Sequence, residues 1–268
     1  MVLHLDAVTY LRQMGSGRTK PALFQCSDAG GNPAGEYVVK FKGGIESGVT
    51  GLVCELVASL LTQQLGLLAP QPAIVTLDPT IAELLPPGEH ALAATIRRSG
   101  GLNFATKVLV GGFGTWPVDA PIPFSVRPQA TEVFAFDALT QNADRRFNNP
   151  NLLRLGDQIF VIDHDETFSF LYALNAPSSP WNLEQLGFLE QHVFFRGLKG
   201  KPIDLDRFAQ ALGAFSDAKI ASMEAEIPDE WRNENLPKIL SHVTQVPITS
   251  KTLSIRSQGG SYEDTLHL

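Results

Sequence analysis

The stretch Asn142-Ala143-Asp144-Arg145-Arg146-Phe147-Asn148-Asn149-Pro150-Asn151-Leu152-Leu153, followed by Phe160-Val161-Ile162-Asp163, decides how this chain is read. It sets an Asp, an Asn five residues further on, and a second Asp at the end of an apolar run. The first Asp can orient or deprotonate a hydroxyl, while the Asn amide oxygen and the second Asp are hard oxygen donors suited to Mg²⁺. Enzymes that hold Mg-ATP and move its terminal phosphoryl group use such an arrangement. The plainer alternative is a turn in which Asn148-Asn149-Pro150-Asn151 only caps local backbone. The surroundings favour chemistry. Residues 131–140 carry Val133, Phe136 and Leu139 at helical spacing, and residues 152–155 and 158–162 read as a hairpin around Gly156-Asp157. Asp163 then stands at a strand end, where a metal ligand is well placed.

Asp163 opens the run Asp163-His164-Asp165-Glu166. Three acids around one His can be a metal cluster of a hydrolase or nuclease. Alternatively, Asp163 alone binds a cation, and His164 packs or hydrogen-bonds to the loop that carries Asp144. No second His or Cys lies at a zinc-ligand spacing, so Asp163 alone is the expected ligand. Asp165 and Glu166 are left as solvated acids or caps.

Working outward, the first third reads as strands with one helix. Residues 4–13, 21–26, 37–41 and 72–77 have strand character, separated by glycine-bearing turns, and 51–64 follow a helical period closed by Gly66, Pro70 and Pro72. Lys40 shares a strand face with Val38 and is expected to point into a cleft, where nucleotide phosphates or Glu55 would meet its charge. An exposed edge lysine and an outward-facing Glu55 are the bland counterparts, with Lys42 as a nearby decoy. Gly15-Ser16-Gly17, between two strands, can lay backbone N–H groups over phosphates or be a plain hairpin turn. It is not a Walker A loop. Residues 78–127 read as loops and short helices. Helices are expected at 182–195, 204–215, 216–226 and 229–244, with Ser216-Asp217 and Pro228-Asp229 as helix starts.

Composition sets outer limits. The 268 residues are 44% hydrophobic and 18% charged, ample for a large core. A net charge of −7 argues against a broad nucleic-acid surface. Cys26 and Cys54 are too few for a disulfide framework and are expected to be reduced thiols. No signal peptide and no membrane-length apolar run is read, so a soluble cytoplasmic protein is expected.

Val38-Val39-Lys40-Phe41, Glu55-Leu56-Val57-Ala58, Leu65-Gly66-Leu67-Leu68-Ala69-Pro70, Phe136-Asp137-Ala138-Leu139, Asn142-Ala143-Asp144-Arg145, Asn149-Pro150-Asn151-Leu152-Leu153 and Ile162-Asp163-His164 together resemble the HipA-like kinase domain. The resemblance spans about residues 37–170 and is most specific from Asp144 to Asp163. It implies a two-lobed α+β fold like that of protein kinases and phosphatidylinositol kinases. The β-rich lobe is expected over 1–85, a mainly helical lobe over 86–250 and a loose tail over 251–268. It further implies ATP and Mg²⁺ as cofactors, with Lys40 on the α- and β-phosphates and Glu55 holding it. Asp144 would be catalytic, and Asn149 and Asp163 would bind Mg²⁺. The implied acceptor is a Ser or Thr hydroxyl of a protein, with an antitoxin or other regulatory partner of a bacterial toxin–antitoxin pair as a further implication. The chain is shorter than full-length HipA proteins and is expected to lack their extra amino-terminal subdomain. His164 follows Asp163 where ordinary protein kinases carry Phe. Rival functions are a kinase for a small-molecule or lipid hydroxyl and a nucleotide-binding pseudokinase.

Overall fold

Alternation in β1 (Leu3–Gln13) buries Leu5 and Ala7 and leaves their neighbours exposed, the pattern of a strand with one face on a core. The computed structural model describes residues 1–15, 19–173 and 186–245. β1 pairs antiparallel with β2 (Ala22–Ser27), and β2 with β3 (Pro33–Lys40). β4 (Pro72–Leu77) runs parallel to β1, and β5 (Gly101–Lys107) joins β3 to β4, closing a five-stranded barrel. Phe24, Tyr37, Val39, Phe41, Val75 and Leu77 fill its core. A closed sheet has no unpaired edge.

β5 was not expected, and it moves the end of the barrel lobe from Leu85 to about Lys107. Gly100-Gly101 and Asn103 suggest a loop, but the tertiary setting satisfies the polar residue. The Asn103 amide donates to the carbonyls of Ser99 (2.8 Å) and Gly101 (2.9 Å) and accepts from the Lys42 N–H (2.9 Å). A buried Asn bonded this way costs the strand little. Helix α2 (His90–Arg98), also past Leu85, packs Leu92, Ala93 and Ile96 into the barrel core.

Helix α1 (Val49–Gln64) is buried on nearly every face from Gly51 to Thr62. It belongs to the larger of the two cores, where Leu52, Leu56 and Leu61 join Phe134, Phe136, Trp231 and Ile239. Gly66 ends it at φ 71°: the Gly66 N–H bonds to Gln63 O and the Leu67 N–H to Thr62 O, a Schellman closure. The expected buried helix before the Asp144 loop is α3 (Arg127–Thr140), and the expected hairpin is β7 (Leu152–Leu155) with β8 (Gln158–Val161), joined at its edge by the short β6 (Gly114–Thr115).

Further along, the expected helix over 182–195 does not form as such. Its first residues lie outside the described ones, and the rest is a 3₁₀ segment, Gly187–Gln191, followed by the short α4 (Phe195–Leu198). α5 (Asp206–Gly213) and α6 (Asp217–Ala225) fall where expected, and the Ser216 side chain caps α6 by accepting from the Lys219 N–H. The stretch 229–244 divides into a 3₁₀ turn, Asp229–Trp231, and α7 (Leu236–Gln245), the turn serving to bury Trp231. The tail from 251 lies outside the described residues. Among the described residues no helix is long and apolar enough to cross a membrane.

Candidate active site

Lys40 ends β3 and points into a cleft between the barrel and the β6–β7–β8 sheet. Its ammonium bonds to Glu55 of α1 and to Asp163, just beyond β8. Burial works to lower the Lys40 pKa, but Asp163 and Glu55 outweigh it and hold the group charged, above the usual lysine range. Glu55 is 1% exposed and also accepts from the His164 N–H at 3.0 Å, so it faces inward despite the polar reading of its helix position. Lys42 lies apart, 3.9 Å from Glu230.

Asp163 sits at φ 64°, in the left-handed region that Asp tolerates better than most residues. That conformation turns its carboxylate back to Lys40. Burial alone would raise the Asp163 pKa, yet the Lys40 charge brings it to about 2. Burial pushes Asp165 up to about 8, with Asp163 and Glu55 adding to the rise. Glu55, Asp163 and Asp165 have ligand oxygens within 4.8 Å of one another. Asp165 is therefore not a solvated acid. Its signal lay in the two-residue spacing from Asp163, which an irregular segment folds onto one side. His164 points the other way, 2% exposed and edge-on to Phe136 at 5.8 Å, and burial lowers its pKa to about 3.

The same cleft carries Asp144 and Asn149. The Asn149 amide donates to Asp144 Oδ2 at 2.8 Å, and Asn151 donates to the same oxygen at 3.1 Å. The Asp144 N–H in turn donates to Asn142 Oδ1 at 3.1 Å. Beneath this loop is a buried polar network. Asp137 of α3 accepts from Asn142 (3.1 Å), Arg145 Nε (2.6 Å) and His192 Nε2 (2.8 Å). His192 Nδ1 accepts from the Phe194 N–H, so its Nε2 carries the proton. Arg145 Nη1 reaches the carbonyls of Asn151 and Ile162, joining the Asp144 loop to the strand that leads to Asp163.

Of the expected site residues, Lys40, Glu55, Asp144, Asn149 and Asp163 all line this cleft of about 780 Å³. The HipA-like kinase family matches residues 7–259. The chain belongs to that family. A crystal structure of a Helicobacter pylori proinflammatory kinase, CtkA, shares its fold, with a TM-score of 0.52 and 12% identity over 92% of this chain and 94% of that one. No curated protein matches the sequence.

In this HipA-like kinase Gly15 stands at the β1–β2 turn, whose described flanks Arg12, Met14, Thr19 and Pro21 line the cleft; Ser16 and Gly17 lie outside the described residues. The cleft's apolar walls include Leu23, Val38, Ala69, Phe104, Leu152 and Val161, a surface suited to a flat heterocycle. Its oxygen donors suit Mg²⁺: Asn149, Asp163 and Asp165 are hard ligands, and a carboxyl that holds a proton near neutrality marks an excess of negative charge that a divalent cation relieves. A second cavity of about 900 Å³ lies behind β8, with Arg207 bonded to Glu132 at its wall. None of the expected site residues lines it, and its greater size has no bearing on the chemistry.

Proposed function

We propose that this protein is an ATP- and Mg²⁺-dependent phosphotransferase whose acceptor is a Ser or Thr hydroxyl of a protein. The observation that carries this reading is the meeting of two groups in one cleft. In one group Lys40 is held between Glu55 and Asp163, and in the other Asp144 is held by Asn149 and Asn151. Such a site works by positioning and by neutralising charge. Lys40 would bind the α- and β-phosphates, Glu55 keeping its ammonium in place. Asn149 and Asp163, with Asp165 beside them, would hold the cation, which supplies charge neutralisation on the β- and γ-phosphates. Asp144 would accept the hydroxyl proton as the acceptor oxygen bonds to the γ-phosphorus and the bond to the β–γ bridging oxygen breaks, leaving ADP.

The intact set of Lys40, Asp144, Asn149 and Asp163 supports an active enzyme over a nucleotide-sensing module. The acidic composition supports a protein acceptor over a lipid one, because an anionic membrane surface attracts basic patches. A cytoplasmic location and an antitoxin or other regulatory partner complete the proposal. The test is incubation with γ-labelled ATP and Mg²⁺ beside Asp144→Ala. Label on the protein or on added lysate proteins, absent in the variant, is expected. ATP binding without transfer to any protein would overturn the protein-kinase assignment.

A further inference from the structure

Asn151 occupies a junction in the site. Its backbone lies in the left-handed region at φ 48°, directly after Pro150. Its carbonyl accepts from the Ile162 N–H at 3.2 Å and from Arg145 Nη1, whose Nε is anchored on Asp137. The backbone of Asn151 is therefore tied both to the strand leading to Asp163 and to α3. Its side chain hangs from that fixed point, lines the cleft and donates to Asp144 Oδ2 at 3.1 Å. Asn149 donates to that same oxygen at 2.8 Å. One carboxylate oxygen thus carries two amide donors.

We propose that Asn151 is a positioning residue for Asp144: its amide, with that of Asn149, fixes Oδ2 and leaves Oδ1 turned toward the acceptor hydroxyl. This rests on the phosphotransferase reading. A carboxylate held by one donor can still swing about that contact, whereas a second donor from a different backbone point removes the swing. Asn149 is also a candidate cation ligand, and its side chain answers to the cation as well as to Asp144. Asn151 supplies a hold on the base that does not depend on the cation. During transfer the acceptor hydroxyl proton passes to Asp144 Oδ1 as the new oxygen–phosphorus bond forms and ADP departs, so an error in carboxylate orientation acts on the transfer step and not on nucleotide binding.

The competing explanation is that Asn stands here only because the left-handed backbone excludes most side chains. Asn151→Gly separates the two, since glycine keeps the turn and deletes the amide. Asn151→Asp keeps the shape but presents a carboxylate to Asp144 in place of a donor. ADP formation by the full chain, with ATP and Mg²⁺ varied in turn, and thermal melting are measured for both variants.

Expected is a fall in kcat of about ten- to hundredfold for Asn151→Gly, with the KM for ATP and the Mg²⁺ half-saturation within about twofold of wild type. Asn151→Asp should lose about tenfold more. Full kcat in Asn151→Gly overturns the proposal, as do equal losses in the two variants or loss of the fold in both. Failure of the underlying reading looks different: the wild type binds no MgATP, or Asp144→Ala turns over as fast as wild type.

Discussion

Single side chains at this site divide the labour, and their variants should fail in different ways. Asp144 touches neither Lys40 nor Glu55, and its bonds run to Asn142, Asn149 and Asn151. Asp144→Ala should lower transfer about a hundred- to ten-thousandfold, the range for removing a general base, while ATP affinity changes little. Asp163 is bonded to Lys40 and stands beside Asp165. Asp163→Ala should abolish the Mg²⁺ dependence of nucleotide affinity itself. Calorimetric titration of both variants with ATP, with and without Mg²⁺, checks the division. A Mg²⁺-dependent affinity that survives in Asp163→Ala would remove that residue from the cation site. Glu55→Gln keeps a side-chain acceptor for the His164 N–H but leaves Asp163, among the described residues, as the one carboxylate bonded to Lys40, with Asp165 nearby. Weaker ATP binding, about tenfold, is expected in the same titration. That Lys40, Glu55, Asp144, Asn149 and Asp163 meet in one cleft was readable from residue type and order, and the roles proposed for them are those the family resemblance implies. Asp165 and Asn151 were less legible: the two-residue spacing from Asp163 allows Asp165 to share its side, but only the fold buries that carboxylate and brings the Asn151 amide into the same cleft.

At the scale of elements, α3 and the loop after it are one unit. Asp137 occupies a helix face that the hydrophobic pattern of Val133, Phe136 and Leu139 makes look uniformly apolar, yet it is fully buried with Arg145 and His192 against it. Burial by itself would raise the Asp137 pKa, but Arg145 and the His192 hydrogen bond keep it below the usual carboxylate range. Asp137→Asn leaves a buried guanidinium without its counter-charge, at a cost of about 3–5 kcal/mol in stability. Chemical denaturation measures that loss, and kcat should fall with it because Asn142 and Arg145 set the Asp144 loop. A variant as stable and active as wild type would show that the network is dispensable. β5 gives the opposite lesson. Its glycines and Asn103 argued for a loop, and only pairing with β3 and β4 makes it a strand, since hydrogen bonds from distant backbone groups overrode local propensity.

For the whole molecule, two linked equilibria are accessible. Burial holds the imidazoles of His192 and His242 below the usual histidine range. Above the unfolded value of about 6.5 neither state binds the proton, and this contribution is at its full value. As pH falls below that value, the unfolded chain takes up protons that the folded one refuses. Stability then drops by about 1.4 kcal/mol per pH unit for each imidazole, until the folded pKa is reached. His164 acts in the same direction, whereas the raised carboxyls of Asp165 and Glu55 take up protons in the folded state and oppose the fall. With three rings against two acids, the melting temperature should decline modestly as the buffer is taken from pH 7 to pH 5. A flat profile in Asp165→Asn, where the acid's offset is removed, would show that these rings are hydrated in solution. The second equilibrium is nucleotide binding. MgATP at a hundred times its Kd should stabilise the fold by about 2.7 kcal/mol, read as a rise in melting temperature that Asp163→Ala loses.

By itself the sequence determined the class of fold and which side chains to look for in the cleft. Residue type, spacing and the alternation of apolar positions are local properties, and they name the Lys, Glu, Asp, Asn and Asp set together with the β-rich and helical halves. The tertiary structure decided where the barrel ends, which helix belongs to which core, and which polar residues are buried partners. α1 packs into the larger core and carries Glu55 to Lys40; Asp165 is folded onto Asp163; Arg145 and Asn151 bind the two functional loops together. Those outcomes depend on hydrogen bonds and charges brought together from distant parts of the chain, and no local pattern encodes the partner that makes a buried polar group stable.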